Sequence, residues 1–230
     1  MVIGNGMIAK AFESYRDEEG FIIFASGVSD SVNVNTEAFE REIKLIKNTI
    51  ETHKDKLLVY FSTCSIYDES MQDSAYVQHK IKVEKIIMDH YAPFIIFRLT
   101  NPIGKTRNTR TLVNFFIKNI IEKSEFTVWK NASRNIIDID HLYLICNEIL
   151  QQKQFLNTII NIANPENYPV GFIINAIEDH FNIKGKYIME DKGGSPVIDI
   201  TAIKPLFTKF NINFDEHYLP GLLQKYFPNK

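Results

Sequence analysis

Cysteine is nearly absent from the chain: Cys64 and Cys146 are the only two. That is too few for a disulfide scaffold, and no zinc-ligand spacing surrounds them, which fits a reducing cytoplasm. Long apolar runs are missing as well. Nothing approaches the about 20 residues needed to cross a bilayer, and "MVIGNG" is interrupted by glycine too early for a leader, so a cytoplasmic protein without a membrane partner is expected. Nor is there an excess of one charge. With 26 basic against 28 acidic residues the net charge is −2, so no global field argues for nucleic acid, and any phosphate must be recognised locally. The six histidines lack paired ligand spacing, and no metal is expected.

What is present is an alternation. Short runs rich in Ile, Val and Phe ("MVI", "FIIFA", "LLVYFS", "FIIFRL", "IINIA") are separated by segments of helical period at about 7–16, 36–53, 76–91, 111–123 and 140–152. This is the pattern of an α/β fold with a mostly parallel sheet covered by helices on both faces. Residues 1–163 read as the sheet domain, with 104–137 contributing to a substrate lobe. Residues 164–230 read as a small C-terminal lobe, in which "NPENYP" is a loop leading into a helix that ends near Phe181.

Directly after the first apolar run, "VIGNGMIAKAF" sets Gly4, Gly6 and Ala9 in a G-x-G-x-x-A spacing. Gly4 suits a tight turn, Gly6 leaves room for a diphosphate, and the amino end of the helix offers unpaired N–H groups. A turn that merely joins strand to helix has the same spacing. The acidic residue that should end a second strand about 20 residues later is missing, with Asp30 its only substitute.

"YVQHK" places Tyr76 and Lys80 four positions apart, on one face of a helix. A phenol must fall from a pKa near 10 toward neutrality to act as a base, a change of about 4 kcal/mol, and a nearby ammonium favours the phenolate. By itself the spacing is common by chance and favours a solvated helix face by several to one. Beside it, "YFSTCSIYDE" ends a strand in Ser62 and Thr63, at the sheet edge where α/β proteins bind ligands.

These stretches, with "FIIFASGVS", "RLTNPIGK", "RNIIDIDHL", "IINIANPENYPVGFIINAI" and "VIDITAIKPLF", resemble in order the motifs of the extended short-chain dehydrogenase/reductase family of nucleotide-sugar epimerases and dehydratases. The resemblance implies a Rossmann-like sheet of order 1-4-5-6-7 in the family's strand numbering, without the usual second and third strands that hold adenosine. It implies NAD or NADP held at Gly4, Asn5, Gly6, Met7, Ile8, Ala25, Ser26, Gly27, Ser62, Tyr76, Lys80, Pro102 and Ile103. Thr63, Tyr76 and Lys80 would be catalytic, Tyr76 exchanging the proton of a sugar hydroxyl. A nucleotide sugar would meet Thr63, Asn101 and Arg134, joined by Lys105, Arg107 and Arg110 of the basic loop "GKTRNTR", which on composition reads equally as a diphosphate clamp or a solvated loop.

Two departures stand out: the glycine turn is one residue short, and Tyr67 is followed by Asp68 where the family has glycine. No Asp-Glu pair follows Thr63, which favours an epimerase or reductase over a dehydratase. The alternative is a non-catalytic binding module that keeps the fold without adenosine contacts. A homodimer through the helices at 36–53 and 76–91 is compatible with their charged outer faces. His79 is expected on a different face from Lys80, and Cys64 is expected to be a small buried side chain.

Overall fold

The computed structural model describes residues 1–29 and 35–228; Asp30, weighed above as a ribose-binding acid, lies outside the described residues. The chain runs β1 (Val2–Ile3), α1 (Met7–Ala11), β2 (Phe21–Phe24), α2 (Thr36–Thr52), β3 (Leu57–Thr63), α3 (Ala75–His90) and β4 (Phe94–Leu99). It continues through β5 (Asn101–Ile103), α4 (Leu112–Ile121), β6 (Glu125–Trp129), β7 (Ser133–Asp138), α5 (Ile139–Gln151) and β8 (Thr158–Ile162). The last elements are β9 (Asn167–Pro169), α6 (Val170–Phe181), β10 (Lys186–Glu190), α7 (Lys204–Lys209) and α8 (Tyr218–Tyr226).

Strands β1, β2, β3, β4 and β8 pair in that order into one sheet, every pair parallel. The strand order expected from the sequence is therefore found, and among the described residues nothing pairs with the free side of β1. Every residue of β3 is buried, because side chains alternate between two cores: Leu57, Val59 and Phe61 enter one, Leu58 and Tyr60 the other. Both faces are thus covered. Burying each such aliphatic side chain contributes roughly 1.5–3 kcal/mol.

The helices begin where side chains can satisfy their first N–H groups. Asn35 Oδ1 accepts from Glu37 and Ala38, Ser74 Oγ from Val77, and Asp138 Oδ1 from Asp140. α1 is shorter than expected, giving way to a 3-10 turn at Glu13–Tyr15 whose Tyr15 is buried in the core.

Beyond the sheet's carboxyl edge, β5 pairs parallel with β7, β7 antiparallel with β9, and β6 parallel with β10. α8 is fastened to the start of α5: Tyr226 Oη donates to Asp138 at 2.6 Å, and Lys225 bridges Asp138 and Asp140, both at 2.7 Å. These contacts set the C-terminal segment against the junction of β7 and α5. No described helix is long and apolar enough to cross a membrane.

Candidate active site

The carboxyl ends of β1 to β4 open on one cleft of about 900 Å³. Asn5, Gly6, Met7 and Ile8 line it from the glycine turn, and Ala25, Ser26 and Gly27 from the end of β2. Ser62 and Thr63 end β3 in its floor, Tyr76 and Lys80 reach it from α3, and Asn101, Pro102 and Ile103 form its wall. Arg110 and Arg134 line the far side. Lys105 and Arg107 are exposed and are not among the lining residues, so of the basic loop's three cations Arg110 alone lines the cleft, beside Gly104, Thr106 and Asn108. A charge run in a sequence does not reveal which of its side chains turns inward.

Gly4 lies beneath the cleft with φ of +129°, and a Cβ on it would collide with the carbonyl of Ala25. Only glycine meets both demands. A Cβ on Gly6, by contrast, would meet nothing within 4 Å.

Lys80 is almost fully buried, and each of its three donors has a protein acceptor. Nζ lies 3.1 Å from Glu42 Oε1, 3.1 Å from Tyr60 Oη and 3.4 Å from the Phe61 carbonyl. Glu42, on α2, is fully buried. Its carboxylate also accepts from Tyr60 Oη at 2.6 Å and from the Val28 N–H at 2.6 Å, and pairs with His79 Nε2 at 2.9 Å. Burial alone would push this carboxyl up. The Lys80 ammonium, with hydrogen bonds from His79, Tyr60 and Val28, instead holds it at about 2. The Tyr60 phenol is driven well above its ordinary range by burial and by Glu42. The expectation that His79 would turn away from Lys80 is corrected here: both residues reach the same carboxylate, one at each oxygen.

Thr63 is buried, donates to Ser65 Oγ at 2.9 Å and accepts from the Ser65 N–H at 3.0 Å. Ser62 donates to Glu84, which also takes a bidentate pair from Arg98. Asn101 donates to the Asn135 carbonyl at 2.8 Å. Arg134 Nη1 pairs with Asp68 Oδ2 at 3.2 Å, so the acid that replaces the family's glycine meets the expected phosphate ligand. Cys64 is buried, which pushes its thiol far up and leaves it a poor nucleophile.

Sequence reasoning missed Glu42, Tyr60 and Arg41. Glu42 left a signal, since it falls in register with Ile46, Thr49 and Ile50 on the buried stripe of α2, where a charge needs a partner. Arg41, whose Nη2 lies 3.3 Å from the Ser26 carbonyl, adds a cation at the cleft rim.

The residues fit a dinucleotide. Gly6 leaves its side of the cleft open to a diphosphate, and the Thr100 hydroxyl in the wall has no hydrogen-bond partner among the described residues. Against this geometry the sequence matches, over residues 6–163, the NAD dependent epimerase/dehydratase family. The chain belongs to that family. No curated protein matches it closely enough to report. Among solved structures it is similar to the dTDP-glucose 4,6-dehydratase of Bacillus anthracis in complex with NAD, with TM-score 0.71, 13% identity, and coverage of 95% of this chain and 76% of that one. It is also similar to RMD from Pseudomonas aeruginosa complexed with NADPH, with TM-score 0.71 at 11% identity over 97% of each chain. The UDP-glucose 4-epimerase of Bifidobacterium longum with NAD+ and UDP gives TM-score 0.71 at 14% identity, over 96% of this chain and 81% of that one. At these identities the likeness is one of fold.

Proposed function

We propose that this epimerase/dehydratase-family chain is an NAD(P)-dependent oxidoreductase or epimerase acting on a nucleotide-activated sugar. One observation carries the reading: Gly6 at the start of α1, Thr63 at the end of β3, and Tyr76 and Lys80 on α3 come from three separate elements and line one cleft. The backbone of Asn5 to Ile8, with Ala25, Ser26, Gly27, Pro102 and Ile103, would hold the dinucleotide. When bound, it supplies the acceptor and donor of hydride. Tyr76 takes the proton of the sugar hydroxyl that is oxidised, and returns it when the carbonyl is reduced. Thr63 turns its hydroxyl from Ser65 to the reacting oxygen and holds it in place. Lys80 exchanges its longest contact, to the Phe61 carbonyl, for a ribose hydroxyl. Arg110 and Arg134 meet the sugar nucleotide's diphosphate, and residues 164–230 with 104–137 form the lobe that closes over the sugar.

A second reading, a binding module without turnover, is favoured by the internal saturation of Lys80 and by the open β1 edge. One experiment separates the two. Incubation with NAD or NADP and a panel of UDP-, dTDP- and GDP-sugars, followed by nicotinamide absorbance and proton NMR, should show oxidation or epimerisation of at least one sugar. Tyr76→Phe should lower that turnover at least a hundredfold while leaving the fold intact. Turnover that survives Tyr76→Phe would remove the catalytic assignment. A homodimer through α2 and α3 would cover Ile81 and Met88, which are exposed on α3, and light scattering decides it.

A further inference from the structure

The lysine of the site is electrically balanced. Lys80 and Glu42 lie 3.1 Å apart, and neither side chain exceeds 3% exposure. The absence of a side chain at Gly27 leaves room for the pair. A Cβ on Gly27 would come within 2.5 Å of Lys80 Nζ and 2.9 Å of Glu42 Oε1, so the pair sits directly under the backbone that lines the cleft. Glu42 receives four donors, from Val28, Tyr60, His79 and Lys80, which fills the about four acceptor positions of a carboxylate. It can neither rotate nor leave.

Tyr76 and Lys80 line the same cleft; on the catalytic reading the lysine would act on the phenol through its charge, and a carboxylate beside it cancels most of that charge at any greater distance. Among the described residues, the other ionisable groups near the cleft do not restore the imbalance. On α3 itself, Glu84 is paired with Arg98 of β4, and His79 is bound to Glu42. On β3, Tyr60 hydrogen-bonds Glu42. After β3, Asp68 is paired with Arg134 of β7. Arg41 of α2 and Arg110 of the basic loop are exposed at the rim, where solvent screens them.

We propose that Glu42 is a positioning residue of this site: it fixes Lys80 beneath the cleft and cancels its charge, so that Tyr76 gives up its proton at a higher pH than beside an unpaired lysine. The proposal rests on the reading of Tyr76 as the proton-transfer group.

Its test does not need turnover. In ligand-free protein, phenolate absorbance is titrated against pH, and the difference from Tyr76→Phe isolates one phenol among the ten tyrosines. Glu42→Gln keeps the shape and frees the lysine's charge, so the Tyr76 step should move to lower pH by about one unit or more, a tenfold change in the equilibrium. Glu42→Asp, which keeps the charge, should stay close to wild type. The double variant Glu42→Gln with Lys80→Met replaces the pair by neutral side chains and decides the matter even where the single variants fold poorly. Because the pair contributes no net charge, its Tyr76 step should stay within about 0.3 pH unit of wild type. A rise of about one unit in the double variant would mean that Lys80 acts uncancelled, and an unchanged step in folded Glu42→Gln would mean that Glu42 has no electrical role; either result overturns the proposal. Turnover that survives Tyr76→Phe would instead remove the catalytic reading, while the phenolate steps still report on Glu42.

Discussion

Two pairs of cation and carboxylate flank the cleft, and they differ in depth. Lys80 and Glu42 are exposed by 3% and 0%, with every polar atom of both engaged, whereas Arg134 and Asp68 are exposed by 19% and 7% and meet through one contact at 3.2 Å. The deep pair is held together because separating its charges strands them in a low dielectric. The shallow pair can exchange. Burial pushes the Arg134 guanidinium down from its ordinary range and Asp68 offsets only part of this; on the proposed reading, a phosphate could take the place of Asp68.

The difference can be broken at several points. Lys80→Met should cost about 3–5 kcal/mol in urea unfolding because it leaves Glu42 buried without its ammonium. Arg134→Met should cost about 1 kcal/mol or less, since Asp68 keeps its bonds to Ser70 and water can reach the cleft wall. Equal costs would erase the distinction.

Acid sharpens the same comparison. The Glu42 carboxyl lies at about 2 in the fold against 4.5 ordinarily, so its contribution is fully present above pH 4.5 and is lost as pH falls through about 2. Roughly 3 kcal/mol should disappear across that window. In Glu42→Gln, unfolding free energy should show a correspondingly flatter slope between those limits.

A smaller effect is expected from Gly27→Ala. The added methyl meets Lys80 Nζ at 2.5 Å and must displace the deep pair, which should cost about 1–3 kcal/mol by thermal melting. A melting temperature unchanged from wild type would show that the pair is looser than its contacts imply.

The sequence made the central sheet legible because β2, β3 and β4 are apolar runs of four to seven residues buried on both faces, and β8 carries Ile159, Ile160 and Ile162 beside them. It did not reveal β5, β7 and β9, in which Asn101, Pro102, Asn135 and Asn167 interrupt any apolar pattern and pairing is supplied by distant segments. The site divides in the same way. Gly6, Tyr76 and Lys80 stand in spacings that carry their own geometry, and all three line the cleft, whereas Gly4 of the same turn does not. Glu42 lies 38 residues from Lys80 on a helix crowded with charges, and only tertiary packing joins them. The opposite occurred at Lys105 and Arg107, where a conspicuous basic run points to solvent.

The central claim, that the cleft holds a nicotinamide dinucleotide against the glycine turn, is tested most directly by titrating NAD and NADP into wild type and Gly6→Val. Trp129, the only tryptophan, lines the cleft and reports occupancy by its fluorescence. Gly6 has φ of −75° and open space where a side chain would stand, so valine should leave the fold intact while occupying the diphosphate's place. Wild type should quench saturably with at least one dinucleotide, and Gly6→Val should bind it at least tenfold more weakly, about 1.4 kcal/mol. Equal binding by Gly6→Val, or no saturable binding of either dinucleotide by wild type, would contradict the account.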